Sequence, residues 1–297
     1  MNGFVFVDKP EGDSSFLVCA KVRRIFSAKK SGHTGTLDPM ATGAMVVALC
    51  AATRFIELLP ETGKAYRAAF RFGLETDTLD ITGNVLSFCD VPVTQKQLSS
   101  VLERFRGETM QLPPMYSALK KNGVRLYELA RRGENAEREA RKINISELSL
   151  LSYDEEKREG ELYVACSAGT YVRSLIADIG EALGTKAVMT ALRRTSANGV
   201  AVEKCRTLEE LEALKKADGL SRAVVSIPDA LSFERLTVSA KQAKRFANGG
   251  ELFLERINKT VSDETPYSIF SPENEFLGVG VTAFSSGLLK PKKIIGR

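Results

Sequence analysis

Segments with the period of a strand and segments with the period of a helix follow one another irregularly along this chain, with no repeated strand–helix–strand unit. Residues 3–7 alternate as a strand and end at the turn signal DKPEG. Ser14 or Ser15 can then cap a helix whose apolar face would be Phe16, Val18, Val22, Ile25 and Phe26. The next segment, SGHTGTLDPMATG at 31–43, holds three glycines, a proline and four hydroxyl side chains, which predicts an irregular loop. Residues 44–49 read as a buried strand followed by a short helix to Leu59. Strands are predicted at 66–72, 85–88 and 162–167, and helices at 94–106 and 171–183. This order predicts an α+β fold with a mixed, mainly antiparallel sheet, and not a doubly wound one.

At about 150 residues per domain, 297 residues allow roughly two domains. The pattern changes after SIPDAL at 226–231, where Leu236, Ala240, Ala243 and Phe246 take helical spacing and short strand-like runs follow. The expected division is therefore a main domain over 1–231 and a small C-terminal β-rich domain over 232–297. The charged stretch GENAEREARK at 133–142 reads as a surface excursion and a candidate mobile insert.

Composition narrows the function. With 43% hydrophobic and 27% charged residues the chain is neither disordered, collagen-like nor a coiled coil. Its longest apolar run, nine residues at 44–52, is too short to span a bilayer, and its start lacks a basic signal region, so a cytoplasmic protein without a membrane anchor is expected. Five widely spaced cysteines give no disulfide framework. One histidine, His33, leaves no multi-histidine metal site, and no glycine-rich phosphate loop is present, so neither a metal nor a cofactor is expected.

The net charge of +5 is mild, but its placement is uneven. No acid lies between Ser14 and Leu37, a window holding Lys21, Arg23, Arg24, Lys29 and Lys30; residues 115–133 carry five cations against Glu128; the tail after Glu275 carries Lys290, Lys292, Lys293 and Arg297. These segments either converge on one phosphate-tracking surface or are solvated faces pointing different ways.

Asp38 stands inside the glycine-rich loop, held in extended geometry by Pro39. On the residues alone it is either a turn-starting aspartate or a rigid reactive carboxylate. The loop GHTGTLDPMATG, together with VDKPEG, KAYRAAFRFG, TDTLD and SAGTYVRSL, closely resembles the bacterial pseudouridine synthases of the TruB family, in the same order and spacing through most of residues 3–200. The segment LTVSAKQAKRFANGG is similar to the start of that family's small C-terminal domain, which resembles an RNA-binding PUA module.

The resemblance implies the pseudouridine synthase fold and isomerisation of the T-loop uridine of transfer RNA, position 55, without a cofactor. It implies that Asp38 is the catalytic aspartate, acting either as a nucleophile at C1′ or as a base. Arg173 would pair with Asp38, and Asp80 would be the acidic partner of that arginine. Tyr66 would stack on the target base, Tyr171 and Leu192 would pack around the uracil, and His33 would contact the RNA from the loop that enters the T-arm. Lys9 and Pro10 match a signature read as structural, because proline fixes the turn. The expected partner is the T-arm of transfer RNA, met by a monomer with no protein partner. Two other readings stay open: an RNA-binding or RNA-folding module that does not use the chemistry, and a hydrolase pairing Asp38 with Asp77 or Asp80.

Overall fold

The computed structural model describes residues 1–257 and 259–296; Arg297, the last basic residue of the tail, lies outside them. The chain begins with β1 (Gly3–Lys9), α1 (Ser15–Ile25), β2 (Ser31–His33) and β3 (Thr42–Leu49), then two short 3-10 turns and β4 (Lys64–Phe72). A hairpin of β5 (Leu74–Thr76) and β6 (Val85–Phe88) leads to α2 (Gln95–Leu102) and β7 (Gly107–Gln111). A two-residue hairpin, β8 (Lys120–Lys121) with β9 (Val124–Arg125), precedes α3 (Leu126–Arg131). The long antiparallel pair β10 (Arg141–Asp154) and β11 (Glu159–Cys166) follows, then α4 (Val172–Ala182), β12 (Ala187–Ala197) and β13 (Val200–Ala201). Helices α5 (Leu208–Lys216) and α6 (Ile227–Leu231) lead to β14 (Glu234–Thr237), α7 (Ala240–Ala247), β15 (Leu252–Phe253), β16 (Pro266–Phe270), β17 (Phe276–Ala283) and β18 (Leu288–Ile294).

The main sheet has nine strands in the order β1-β3-β12-β4-β11-β10-β7, with β2 on β3 and β13 on β12. The second sheet has five, β14-β16-β17-β18-β15. Only β3 with β12 and β14 with β16 are parallel among the strand pairs, so the α+β class expected from the sequence holds. On β4, Arg67 and Arg71 face solvent while Tyr66, Ala68, Phe70 and Phe72 face the core, the period-2 alternation of a half-buried strand. That apolar face packs against Leu98 and Val101 of α2 and Leu175, Ile176 and Ile179 of α4. A separate core joins β1 and β3 to α1 and α5, through Val5, Val7, Val18, Val22 and Leu211. Phe55 meets Phe276 at 5.7 Å between ring centroids, which joins the second sheet to the first.

Several local expectations are corrected. Phe16 is 80% exposed, and Cys19 takes its place on the buried face of α1, because Ser15, Val18, Cys19, Val22 and Ile25 recur at the three- and four-residue steps of one helix face and Phe16 lies off it. Residues 31–43 are not wholly irregular: Ser31 to His33 pair with β3, and Thr42 and Gly43 open it. The 133–142 excursion is exposed and irregular only to residue 140, since Arg141 and Lys142 pair with β7. Leu236 sits on β14, and the helix starts at Ala240.

At the join of β3 and β12, Gly43 has φ +108 and lies opposite Arg194 in parallel register. A Cβ there would fall 2.2 Å from the Arg194 carbonyl oxygen. Gly43→Ala is therefore expected to lower stability by at least about 2 kcal/mol, read as a reduced urea midpoint at unchanged slope. An unchanged midpoint would mean that the strands part there at no cost.

Candidate active site

Asp38 lies between β2 and β3 on a loop held from both sides. The Leu37 N–H donates to Ser15 Oγ at 2.8 Å, and that hydroxyl donates back to the Leu37 carbonyl at 3.0 Å. The Ala41 N–H closes a turn on the Asp38 carbonyl at 3.0 Å, and the Gly12 N–H binds the Pro39 carbonyl at 2.8 Å. Lys9 Nζ donates to the carbonyls of Pro10, Pro39 and Ala41 at 2.8, 3.1 and 2.6 Å. Burial brings the Lys9 ammonium down to about 8. Thus Lys9 as well as Pro10 fixes this turn, through an ammonium whose three acceptors are backbone carbonyls.

Arg173, in the first turn of α4, forms an ion pair with Asp38: Nε lies 2.9 Å from Oδ2, and Nη2 donates to Oδ1 at 3.3 Å. The same guanidinium donates through Nη1 to the Thr78 carbonyl at 2.8 Å and through Nη2 to the Tyr116 carbonyl at 2.9 Å. Asp80 Oδ2 stands 3.7 Å from Nη1. Asp80 Oδ1 is occupied, accepting from Thr78 Oγ1 at 2.9 Å, Thr82 N at 3.0 Å and Thr82 Oγ1 at 2.6 Å. Its loop is moored to β12, where the Met189 N–H binds the Leu79 carbonyl and the Ile81 N–H binds the Met189 carbonyl. Burial pushes Asp38 above the usual carboxylate range; the Arg173 charge pulls it down, Asp80 pushes it up, and Lys9 pulls it down more weakly. With its side chain 33% exposed, Asp38 keeps an open face.

Tyr66 and Leu192 join Leu37 in one apolar cluster, Tyr66 being 6% exposed. Burial pushes the Tyr66 phenol up to about 12, against the pull of the Arg194 guanidinium opposite it in register. Tyr171, at the N-cap of α4, is clamped by Gln111: its N–H donates to Oε1 at 2.8 Å and its carbonyl accepts from Nε2 at 3.0 Å. His33, on β2 opposite Val47, has a buried Nδ1 without a partner, and burial with the Arg194 charge holds its pKa below the usual value. So Arg173 touches both Asp38 and Asp80, Tyr66 and Leu192 share an apolar cluster with Leu37 beside Asp38, Tyr171 feels the charges of Asp38 and Arg173, and His33 stands on β2 under the charge of Arg194. Sequence reasoning missed Arg194 and Gln111, and the hydroxyls of Thr78 and Thr82 that saturate Asp80; those two were legible as the hydroxyls spaced around Asp80. A concavity of about 530 Å³, bounded by Ala65, Arg67, Tyr163 and Ser196 among others, contains none of these residues. Among the described residues, no group of three or more His, Cys, Asp or Glu is placed to hold a metal ion, and no helix is long and apolar enough to cross a membrane.

Residues 23–172 match the family model for the N-terminal domain of TruB family pseudouridylate synthase, and residues 173–231 match that for the C-terminal domain of tRNA pseudouridylate synthase B. The chain belongs to the TruB family. The two matched segments meet inside the first turn of α4, so Asp38 lies in one and Arg173 in the other. The tRNA pseudouridine synthase B of Azoarcus sp. (strain BH72) is 42% identical over 99% of this chain and 95% of its own length. That of Clostridium perfringens (strain 13 / Type A) is 42% identical over 94% and 95%. Among solved structures, a chain of a Cbf5-Nop10-Gar1 complex superposes with a TM-score of 0.72 at 26% identity, covering 99% of this chain and 84% of the other. A chain of an archaeal box H/ACA sRNP Nop10-Cbf5 complex gives 0.71 at 25%, over 99% and 86%.

A reaction that uses the Asp38 carboxylate loses rate as the pH falls through its raised pKa. Removing the Arg173 charge takes away the largest force pulling that pKa down, so Arg173→Gln is expected to move the acid limb of the pseudouridine-forming rate to higher pH. Asp80→Asn removes a charge that pushes it up and is expected to move the limb to lower pH. Single-turnover rates across the acidic range read both shifts, and a limb that moves in neither variant belongs to another group.

Proposed function

We propose that this protein converts the T-loop uridine of transfer RNA, position 55, to pseudouridine, with Asp38 as the catalytic carboxylate. The observation that carries the reading is the ion pair of Arg173 with a partly open Asp38, in a chain of the TruB family. In the reaction the N1–C1′ bond breaks, the uracil turns while held, C5 bonds to C1′, and the proton on C5 leaves as N1 gains one. The atoms balance within one nucleotide, so the chemistry calls for no oxidant, donor or cofactor. Asp38 acts at the ribose, as a nucleophile at C1′ or as a base, and both routes require its ionised form, which Arg173 favours.

A base in a folded T-arm must leave its stack to reach Asp38. Tyr66 is assigned to stack on the extruded uracil, since a ring face holds a base without fixing its rotation; Leu192 and Tyr171 wall the base, and His33 contacts the RNA beside it. Residues 1–231 serve as the catalytic domain and 232–297 as a small PUA-like RNA-binding domain, a division supported by the separate core of Leu236, Phe246, Tyr267 and Leu289. The protein works in the cytoplasm as a monomer on transfer RNA. The hydrolase reading is disfavoured because both carboxylates it could pair with Asp38 are engaged: Asp80 accepts three hydrogen bonds at one oxygen and faces Arg173 with the other, and Asp77 accepts from the N–H and Nδ2 of Asn84 at 2.9 and 3.0 Å and from the Tyr116 hydroxyl at 3.4 Å.

The test is release of tritium from C5-tritiated uridine in an unmodified transfer RNA transcript, with no metal or nucleotide added. The wild type is expected to release it, and Asp38→Asn to do so at least about a thousandfold more slowly. Affinity for the transcript should stay within about tenfold, because a carboxylate is not a phosphate contact. Release of free uracil would mean hydrolysis, and tritium release by both proteins would remove Asp38 from the mechanism.

A further inference from the structure

Beside the Asp38 loop stand two cations with no carboxylate partner among the described residues. Arg194 is 0% exposed; its Nε donates to the Ala44 carbonyl at 2.6 Å, its Nη2 to the Gly35 carbonyl at 3.3 Å, and its Nη1 has no partner. Lys64, the first residue of β4, is half-buried. Both reach the same point: a Cβ on Gly35 would lie 3.0 Å from Lys64 Nζ and 3.7 Å from Arg194 Nη1. Burial and the Arg194 charge together lower the Lys64 pKa, the sign of two like charges crowded away from water. Among the described residues, the N–H groups of Gly35 and Thr36, on the same loop, make no backbone hydrogen bond.

An unpaired buried guanidinium is costly, and a second cation beside it adds to the cost. A bound anion would reverse both effects. Glycine at position 35 lets the backbone come close, and loop amides beside a lysine are the donors that cradle a phosphate. The position narrows the ligand further, because Gly35 is three residues before Asp38, on the loop that must lie against the nucleotide being modified. We infer that Lys64, with Arg194 behind it and the Gly35 and Thr36 amides beside it, binds an RNA phosphodiester next to the target uridine. The inference rests on the function proposed above and adds a phosphate-recognition site to it. Arg194 supplies charge from behind and holds Gly35 in place, while Lys64 makes the direct contact.

The test measures binding of an unmodified transfer RNA transcript to the full-length Asp38→Asn protein across a range of salt. Adding Lys64→Gln is expected to weaken binding about tenfold at low salt and to reduce the slope of log affinity against log salt by about 0.7–0.9, the loss of one phosphate contact. Lys64→Arg should restore the slope, and Lys215→Gln on the exposed end of α5 should leave it unchanged. A second arm changes only the RNA. A neutral methylphosphonate at one of the two phosphates flanking the target uridine should weaken binding to the Asp38→Asn protein and cost the Lys64→Gln form nothing more. An unchanged slope in a folded Lys64→Gln protein overturns the site, as does a methylphosphonate penalty that is the same with and without Lys64. If the Asp38→Asn protein fails to bind the transcript while wild type fails to release tritium, the functional reading itself falls. Tritium release by wild type with either of the overturning results leaves the function standing without this site.

Discussion

The Lys9 ammonium is fully buried, and its three hydrogen bonds go to carbonyls on two stretches of chain, Pro10 on one and Pro39 and Ala41 on the other. Taking an ammonium out of water costs several kcal/mol, so the loop is favourable only when all three carbonyls converge on it. Each such charged hydrogen bond contributes roughly 1.5–3 kcal/mol, and each is lost if the loop moves. The Ser15 hydroxyl, bonded to both the N–H and the carbonyl of Leu37, fixes the other side. Asp38 is thereby placed by contacts that use its neighbours' backbone and leave its own carboxylate available.

Arg173 is held just as firmly. Its donors to the carbonyls of Thr78 and Tyr116 tie it to two further loops, so the guanidinium stays in place whether or not Asp38 is charged. Dipoles and charges fixed before the reaction need no reorganisation during it, which is where such an arrangement gains its effect. Asp80 works in the opposite direction on Asp38, and the hydroxyls of Thr78 and Thr82 keep it where it does so. Burial remains the larger influence and raises the Asp38 pKa, so the site trades some ionisation for a carboxylate that is poorly solvated.

The sequence carried the α+β class and the strand at β4 because those rest on local periodicity. Residues 38 and 173 are far apart in the chain, and no local pattern joins them; the family motifs did. Strands β10 and β12 escaped the reading for physical reasons. The alternation on β10 is broken by bulges between Ile145 and Glu147 and between Leu150 and Ser152, and β12 is bulged between Met189 and Ala191 and between Arg194 and Ser196. A bulge shifts the inward face by one residue and erases the period-2 signal. The Tyr116 contact to Arg173 uses a backbone carbonyl, which has no side-chain signature at all.

The adjacent arginines of β12 show how much of the site is decided by strand geometry and how little by residue type. Successive residues on a strand face opposite sides of the sheet. Arg193 pairs with the Asp8 carboxylate at 2.7 Å while 43% of its side chain remains exposed. Arg194 faces the other way, into the space between Gly35, Ala44 and Tyr66, where it is fully buried and meets carbonyl oxygens and a phenol but no carboxylate. The parallel register of Arg194 with Gly43 admits its backbone only because residue 43 has no side chain. A glycine on β3 thus decides that one of two identical residues becomes a buried charge beside the Asp38 loop. That charge acts on His33, Lys64 and Tyr66 together, so the electrostatics around the Asp38 loop depend on how closely two strands can approach.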